Sequence, residues 1–348
     1  MLKAAIIYND PFINELASEK ESEAIVGVLE EVVPVRKALI DLNINWQDVP
    51  LRPPLDSVRE TIASLDADVI FNLFEGFHGY PNTEPAVARI MEEMGKKFTG
   101  NPSHVLALTL DKSRTKEILI NNGISVPDYQ VLTPSNIAEF RLQFPCIVKP
   151  LDEDASHGLS ADNVVCDKEQ LARQVQRICD EFRGRALVEE FIDGREFNAS
   201  IMGNDELELI EISEIVYKLP PELPRILTFE SKWFESTPYY AGTGVSCPAP
   251  ITPKLRRIIK EVVLKSCRAV GCRGYARVDM RQDSAGNIRV LEVNANPDLS
   301  PGLGIALQAE IRGMSYSQLI KKIIDLALEE PGWQLPLDYC TETTGLPF

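Results

Sequence analysis

Two carboxylates and an amide stand at spacings that could build a metal site. Asp279 lies in YARVDM, and Glu292 and Asn294 lie in LEVN, with the turn-forming run RQDSAGN between the two segments. The pattern predicts a β-hairpin in which Arg277 and Asp279 face the same cleft as Glu292 and Asn294, because residues two apart in a strand share a face. Hard oxygen ligands of this kind suit Mg²⁺. Taken alone, the pattern is more typical of a solvated hairpin face.

A lysine at a strand end, followed by a small polar loop, could hold phosphate groups. Lys149 ends the apolar segment CIVK, and the loop that follows contains Ser156 and Gly158. The ammonium would supply charge and the turn would supply backbone N–H donors. Lys112, at the head of a predicted helix, and Lys232, in FESKW, are further candidate cations, although each alone is more typical of a solvated surface lysine. Neither GxxxxGK[ST] nor GxGxxG occurs.

The segment LVEEFIDGREFN could contact a nucleotide. Glu189 and Glu190 end an apolar strand, and an Asp-Gly turn leads from there to Glu196. The backbone could pair with the edge of an adenine, and a carboxylate could accept hydrogen bonds from ribose hydroxyls. A crossover between domains with solvated acids is an equally good interpretation.

The elements that must position these residues begin with alternating strands and helices. The apolar runs KAAIIYN and DADVIFNLFEG predict buried strands, whereas KESEAIVGVLEEVVPVRKALIDLN and EPAVARIMEEMG have helical periodicity. Pro34 should kink or split the first helix, and Gly95 should cap the second. This order predicts a small parallel sheet.

The rest of the chain divides at a boundary near residues 100–110. We expect an N-terminal α/β domain over 1–104, a central α+β subdomain over 105–190, a strand-rich C-terminal subdomain over 191–330 and a tail over 331–348. The segment 217–250, which is rich in Pro and Gly, is too long for a structureless loop, so we expect it to be functional or partly structured.

Bulk composition excludes some partners. The 348 residues carry a net charge of −16, which argues against nucleic acid or a membrane as a partner. The chain has no run resembling a signal peptide or a membrane span, which predicts a cytoplasmic protein. The seven cysteines lack zinc-ligand spacing, and most are expected to be reduced.

Taken together, the motifs resemble the ATP-grasp superfamily, and specifically its D-alanine–D-alanine ligase branch. The resemblance runs from about residue 69 to 325 and is carried by DVIFNLFEG, PNTEPAVARIMEEMGKKFTGNPSHVLALTLDKSRTK, FPCIVKP with SHGLS, LVEEFIDGREFN, FESKW, YARVDM and LEVNANPDLSP. It implies an α/β (α+β) protein with a three-domain ATP-grasp fold and an N-terminal parallel-sheet domain.

The resemblance implies ATP bound between the central and C-terminal domains. The ATP-binding residues that it implies are Lys112, Lys149, Ser156, Gly158, Glu189, Glu190, Phe191, Ile192, Glu196 and Lys232. Asp279, Glu292 and Asn294 would hold two Mg²⁺ ions, with Mn²⁺ as an alternative metal. Arg277, Lys232 and Ser156 form the implied catalytic set, in which Arg277 stabilises an oxyanion.

The implied reaction joins a small-molecule carboxylate to an amine. The carboxylate would attack the γ-phosphate of ATP to give an acyl phosphate, and an amine would then form an amide and release phosphate. The loops around 155–160 and 225–245 are the candidate lids that exclude water. The family also suggests a homodimer.

The departures from the family pattern concentrate on the substrate pockets. Glu75 stands in LFEG where dipeptide-forming members have a His, and the N-terminal Gly-Gly-x-Ser-x-Glu segment is not reproduced. Ala155 replaces a substrate-contacting Ser, and Leu303 falls at another Ser position. Asp298 and Trp233 replace a Gly and a Tyr.

These departures predict a ligase that joins a different acid to a different amine. Glu75, Trp233, Arg277 and Asp298 are the candidate substrate-binding residues, and the added acids suit a cationic group on the substrate. Trp233 and the pair Tyr239–Tyr240 could line an apolar pocket, although aromatic residues in a lid more often serve as packing.

The residues leave three alternatives to the ligase. An ATP-grasp kinase would stop at phosphoryl transfer, but it has no tetrahedral carbon for Arg277 to stabilise. A catalytically inactive, nucleotide-binding regulatory protein would usually have lost some of the metal ligands and phosphate lysines. A dehydrogenase is disfavoured because the glycine fingerprint is missing.

Overall fold

The computed structural model describes residues 1–11, 19–77, 79–152, 159–182, 184–228, 231, 234 and 236–329, with the backbone alone for 19–27. Four predicted site residues lie outside these ranges, namely Ser156, Gly158, Lys232 and Trp233. The predicted tail, 331–348, also lies outside them.

The N-terminal part is a parallel three-stranded sheet flanked by helices, as the sequence predicts. Its strands have the order β2-β1-β3, and α3 ends near Gly95, which has φ 63°. The elements are β1 (Lys3–Asn9), α1 (Glu19–Asp41), β2 (Asn45–Leu51), α2 (Leu55–Ser64), β3 (Val69–Leu73) and α3 (Thr83–Glu93).

Helix α1 continues through Pro34 as one helix, so of the two predicted effects, a kink or a split, the split is wrong. Proline removes one backbone donor, which weakens an isolated helix. Val32, Val35 and Leu39 are fully buried on either side of the proline. Burial of this apolar face stabilises the helix by more than the missing hydrogen bond costs.

A second sheet forms the central part of the chain. It is antiparallel with strand order β4-β7-β5-β6, and two helices precede it. Asp111 caps the second of these helices by accepting a hydrogen bond from the Arg114 N–H at 3.0 Å. The elements are α4 (Ser103–Leu110), α5 (Lys112–Asn121), β4 (Tyr129–Leu132), β5 (Cys146–Pro150), β6 (Val164–Val165), α6 (Lys168–Glu181) and β7 (Ala186–Glu190).

The C-terminal part contains an antiparallel five-stranded sheet with the order β10-β9-β8-β11-β12. A short helix and strand β10 lie within 217–250, which confirms that this segment is partly structured. The elements are β8 (Glu196–Gly203), β9 (Glu208–Tyr217), α7 (Pro238–Gly242), β10 (Thr243–Ser246), α8 (Pro253–Val270), β11 (Gly274–Gln282), β12 (Ile288–Asn294), α9 (Gly304–Ile311) and α10 (Tyr316–Leu328).

Helices α4 and α5 pack against the C-terminal sheet and helix α8. Val105 and Leu119 share one buried apolar cluster with Val263 of α8 and Val290 of β12. This packing fixes the first turn of α5, which carries Lys112, beside the strand that carries Glu292. None of the helices in the described part of the chain combines the length and apolar character that a membrane span requires.

Candidate active site

The hairpin predicted from YARVDM and LEVN is confirmed. Strands β11 and β12 pair antiparallel, with Asp279 opposite Glu292 and Arg277 opposite Asn294. Arg277 donates from Nε to Asp279 Oδ1 and from Nη2 to Asp279 Oδ2, both at 2.8 Å. Asn294 Nδ2 donates to the same Asp279 Oδ2 at 3.0 Å. The structure therefore brings the four residues to one face of the sheet.

Charges from three elements converge on Glu292. Burial raises the pKa of Glu292, but Lys112, Lys149 and Arg277 together lower it below its usual value. Burial also raises the pKa of Asp279, and the bidentate Arg277 compensates only in part. The two carboxylates thus share a partly buried site with cations on one side and room for more positive charge.

The donor set fits a hard divalent cation. Carboxylate and amide oxygens are ligands that Mg²⁺ accepts alongside water and phosphate. The described residues hold no group of three or more Asp, Glu, His or Cys side chains arranged as metal ligands, so the Asn294 amide oxygen is needed beside the two acids. Because the Asn294 NH₂ now faces Asp279, metal binding requires its amide to present the oxygen instead.

A buried carboxylate holds two lysines behind this site. Glu189, at the end of β7, is 1% exposed. Lys149 Nζ lies 2.8 Å from its Oε2 and Lys116 Nζ lies 2.6 Å from its Oε1, the latter without hydrogen-bond geometry. Burial raises the pKa of Glu189, but the two lysines lower it to about 2. Lys149, the predicted phosphate-binding lysine, therefore forms an ion pair with Glu189, the predicted adenine-site acid.

Lys116 is a residue that the sequence reasoning missed. Its Nζ also donates to the Leu291 carbonyl at 2.8 Å. The β11–β12 register skips at Leu291, and such a bulge can turn a carbonyl out of the ladder. Lys116 thus links Glu189 of β7 to Leu291, the residue before Glu292. The available signal was its position four residues after Lys112, on the same face of α5.

Glu196, the predicted ribose acid, lies in a buried ion pair. Arg281 lies opposite it in the β8–β11 register and donates from Nε to Glu196 Oε2 at 2.9 Å. Tyr217 donates its hydroxyl to the same oxygen at 2.8 Å. Sequence reasoning missed Arg281, although its spacing in RVDMR places it on the face of Arg277 and Asp279.

Part of the predicted adenine-binding segment already makes backbone hydrogen bonds to residues that adjoin the central sheet. The backbone N–H of Glu190 donates to the Asp128 carbonyl at 2.8 Å, and that of Phe191 donates to Pro145 at 3.0 Å. These N–H groups are therefore not the ones that would meet an adenine. The Ile192 carbonyl accepts a hydrogen bond from Arg281 Nη1 at 2.7 Å.

The 217–250 segment crosses from the C-terminal sheet to the central sheet. Ile226 and Tyr239 are buried against Ile147 of β5, and the Tyr239 hydroxyl donates to the Pro224 carbonyl at 3.1 Å. Tyr239 is thus a packing residue, whereas Tyr240 is 40% exposed. A cleft of about 860 Å³ adjoins this cluster, with Phe191, Val164 and Leu223 among its lining residues.

The two acids that depart from the family pattern, Glu75 and Asp298, both lie near a third acid, Glu31. Asp298 is hydrogen-bonded to the carboxyl group of Glu31, which is 7% exposed and also accepts a hydrogen bond from the Leu299 N–H. Burial raises the pKa of Glu31 well above its usual value, and the charges of Glu75 and Asp298 raise it further. The raised pKa of Glu31 and the lowered pKa of Asp298 favour the proton of their shared hydrogen bond lying on Glu31.

Local structure explains how these acids are placed. Glu75 follows β3 at the carboxyl edge of the parallel sheet, where its N–H donates to Asn9 Oδ1 at 3.0 Å. Asp298 accepts from the Ser300 N–H at 2.6 Å in the loop before α9. Glu31 was missed, although an acid at helical spacing from Val28 and Val35 lies on the apolar face of α1 and is a detectable signal.

Comparison with known proteins gives a consistent result. A family model described as D-ala D-ala ligase C-terminus matches residues 118–325. An uncharacterized protein of Sinorhizobium fredii is 35% identical over 260 residues, covering 74% of each chain. A D-alanine–D-alanine ligase of Haemophilus influenzae is 31% identical over 283 residues, covering 79% of this chain and 89% of its own.

Solved structures share the fold at lower identity. A D-alanine–D-alanine ligase of Bacillus anthracis superposes with a TM-score of 0.73 at 21% identity, covering 94% of this chain and 98% of its own. Its complex with ATP gives a TM-score of 0.72. The VanG D-Ala:D-Ser ligase of Enterococcus faecalis gives 0.69, also at 21% identity, with 94% and 99% coverage.

Proposed function

This chain belongs to the D-alanine–D-alanine ligase family, with the ATP-grasp fold, and from that premise we propose that it is an ADP-forming carboxylate–amine ligase. Family membership supports an ATP-dependent enzyme that forms C–N bonds. The single observation that carries the finer proposal is the charged face of the β11–β12 hairpin. There Asp279 lies opposite Glu292, with Arg277 beside them and Lys112 and Lys149 facing Glu292.

In this proposal ATP binds between the central and C-terminal sheets. Its phosphates lie near Lys149 and Lys112, and its adenine lies against the segment that ends in Ile192. Lys149 is bound to Glu189, which Lys116 also neutralises. Because Glu189 keeps Lys116 as a partner, Lys149 can turn toward a phosphate without leaving a buried carboxylate unpaired.

Asp279, Glu292 and Asn294 are the residues that would hold Mg²⁺. The metal, when bound, neutralises charge on the phosphate oxygens during transfer. Arg277 holds Asp279 through two parallel hydrogen bonds, which fixes the carboxylate in one orientation. The Arg277 guanidinium is also positioned to donate to an oxyanion that forms at the carboxyl carbon when the amine attacks.

The substrate is a carboxylate or an amine that bears a further cationic group. The support is the local charge balance around Asp298. Burial and the charges of Glu75 and Asp298 raise the pKa of Glu31 well above its usual value, whereas hydrogen bonds lower the pKa of Asp298. A substrate ammonium at this position would add a favourable charge interaction with these acids to the one that Arg277 makes with Asp298.

One assay tests the proposed function. The purified chain is incubated with Mg²⁺-ATP and a matrix of carboxylic acids and amines, ADP release is measured, and products are identified by mass spectrometry. We expect ADP and an amide in equal amounts for pairs in which one partner carries a second cationic group. A phosphorylated acid without amide would indicate a kinase, and ADP no higher than background with any pair would contradict an enzymatic role.

A matched pair of variants shows whether the measured ADP release depends on the β11–β12 hairpin or comes from contaminating ATPases. Glu292→Gln keeps the size of the side chain but removes a charge that three cations face. We expect ADP release to fall by at least about 100-fold, the scale of one lost transition-state contact. Glu310→Gln, a substitution on α9 away from the hairpin, should leave the rate unchanged.

A further inference from the structure

Arg281 lies where several parts of the proposed nucleotide site meet. It follows Asp279 by two residues on β11, so its side chain projects from the same face, and its partner across the ladder is Glu196 of β8. With 4% of its surface exposed, the residue is removed from solvent. A guanidinium buried this far must be fully paired, or its desolvation would destabilise the fold.

The guanidinium serves three acceptors from three different segments. Nε donates to Glu196 Oε2 at 2.9 Å, and Nη1 donates to the Ile192 carbonyl at 2.7 Å. Nη2 donates both to Glu196 and to the carbonyl of Arg225, at the base of the 217–250 segment. An arginine can hold such a set because its five donors lie in one rigid plane, which a lysine cannot reproduce.

Neighbouring rings fix the same arrangement. Arg281 Cζ lies 5.4 Å from the centroid of the Phe191 ring and 5.9 Å from that of Tyr217. The Tyr217 hydroxyl donates to Glu196 Oε2 at 2.8 Å. Both donors therefore converge on Oε2 of Glu196, and none of these hydrogen bonds uses Oε1.

We propose that Arg281 is a positioning residue for the nucleotide, holding Glu196 so that its Oε1 accepts a hydrogen bond from a ribose hydroxyl. The same guanidinium donates to the Ile192 and Arg225 carbonyls, so it joins three segments of the chain at the proposed sugar site. This inference rests on the proposed ATP-dependent function. An ion pair with a structural role alone would stabilise the fold without affecting which sugar is preferred.

The test compares nucleotides that differ by one hydroxyl. Dissociation constants of the full chain for ATP, 2′-deoxy-ATP and 3′-deoxy-ATP, each with Mg²⁺, are measured by calorimetry without carboxylate or amine substrates. Arg281→Lys keeps a positive charge beside Glu196 but loses the rigid planar set of five donors. Tyr217→Phe removes only the second donor to Oε2. Arg195→Lys is the matched control, because Arg195 adjoins Glu196 in sequence but binds Glu214, with Nε at 2.7 Å.

The wild-type chain should bind ATP about tenfold more tightly than one of the deoxy nucleotides, the usual effect of one hydrogen bond to a charged group. Arg281→Lys should reduce this ratio to about two, Tyr217→Phe to an intermediate value, and Arg195→Lys should preserve it. Equal losses of affinity for all three nucleotides in Arg281→Lys, with the ratio intact, would overturn the positioning role. A wild-type chain that binds none of them would overturn the proposed function as well.

Discussion

Lys116 offers the sharpest test of how charge is arranged behind the active site. Its ammonium is fully buried between Glu189 Oε1, at 2.6 Å, and the Leu291 carbonyl, at 2.8 Å. The substitution Lys116→Met keeps most of the aliphatic volume but leaves Glu189 with Lys149 as its cation. Removing one partner of a buried ion pair usually costs about 3–5 kcal/mol.

Two features reduce that cost here. Lys149 still neutralises much of the Glu189 charge, and burial lowers the pKa of Lys116, so removing its ammonium recovers part of a desolvation penalty. We therefore expect Lys116→Met to lower the free energy of unfolding by about 2 kcal/mol. The remaining lysine is held more tightly by Glu189, so affinity for ATP should fall by about tenfold.

Urea unfolding, followed by circular dichroism, measures the first effect, and calorimetry with Mg²⁺-ATP measures the second. The control is Lys321→Met, which breaks an exposed ion pair with Asp325 on α10 and should cost less than about 0.5 kcal/mol. The double variant Lys116→Met/Glu189→Gln should recover part of the lost stability, because the uncompensated charge is gone. If Lys116→Met costs no more than Lys321→Met, the buried pair does not support the site as described.

Three further predictions concern single side chains. Glu189→Gln should be less stable than wild type at pH 7, and the difference should shrink as the pH falls from about 5 toward 2, because the depressed pKa of Glu189 favours the folded chain only while the carboxylate is ionised; a constant difference in urea unfolding would contradict this. Asn294→Ala should raise the Mg²⁺ concentration needed for half-maximal ADP release by at least about tenfold, since the third oxygen ligand is lost; an unchanged requirement would remove Asn294 from the metal site. Glu75→Gln should lower kcat/KM for the cationic substrate by about tenfold, mainly through KM; unchanged kcat and KM would refute the cationic contact.

The sequence predicted those parts of the molecule that depend on local pattern. The β11–β12 hairpin followed from alternating strands around a Gly-containing turn, but the bulge at Leu291, which brings Glu292 opposite Asp279, was not predicted. The parallel N-terminal sheet followed from the order of its strands and helices. Both predictions needed only periodicity and turn chemistry.

What the sequence could not predict depends on burial of charge. The spacing of Lys116, Arg281 and Glu31 shows which face of its element each occupies, but each is buried by elements distant in sequence. Whether such a charge is paired is decided by the tertiary contacts of Glu189, Glu196 and Asp298. The same reason explains Pro34, because packing of α1 outweighs a local helix-breaking tendency.

The proposed ligase chemistry is tested most directly by measuring whether one oxygen atom of the carboxylate substrate is transferred to the released phosphate. A carboxylate substrate labelled with ¹⁸O is converted with Mg²⁺-ATP and its amine partner, and the released phosphate is analysed by mass spectrometry. If the carboxylate attacks the γ-phosphate and the amine then displaces phosphate, one ¹⁸O atom must appear in each phosphate released. Phosphate without the label, formed at the same rate as ADP, would mean that water attacks ATP and would contradict the proposed function.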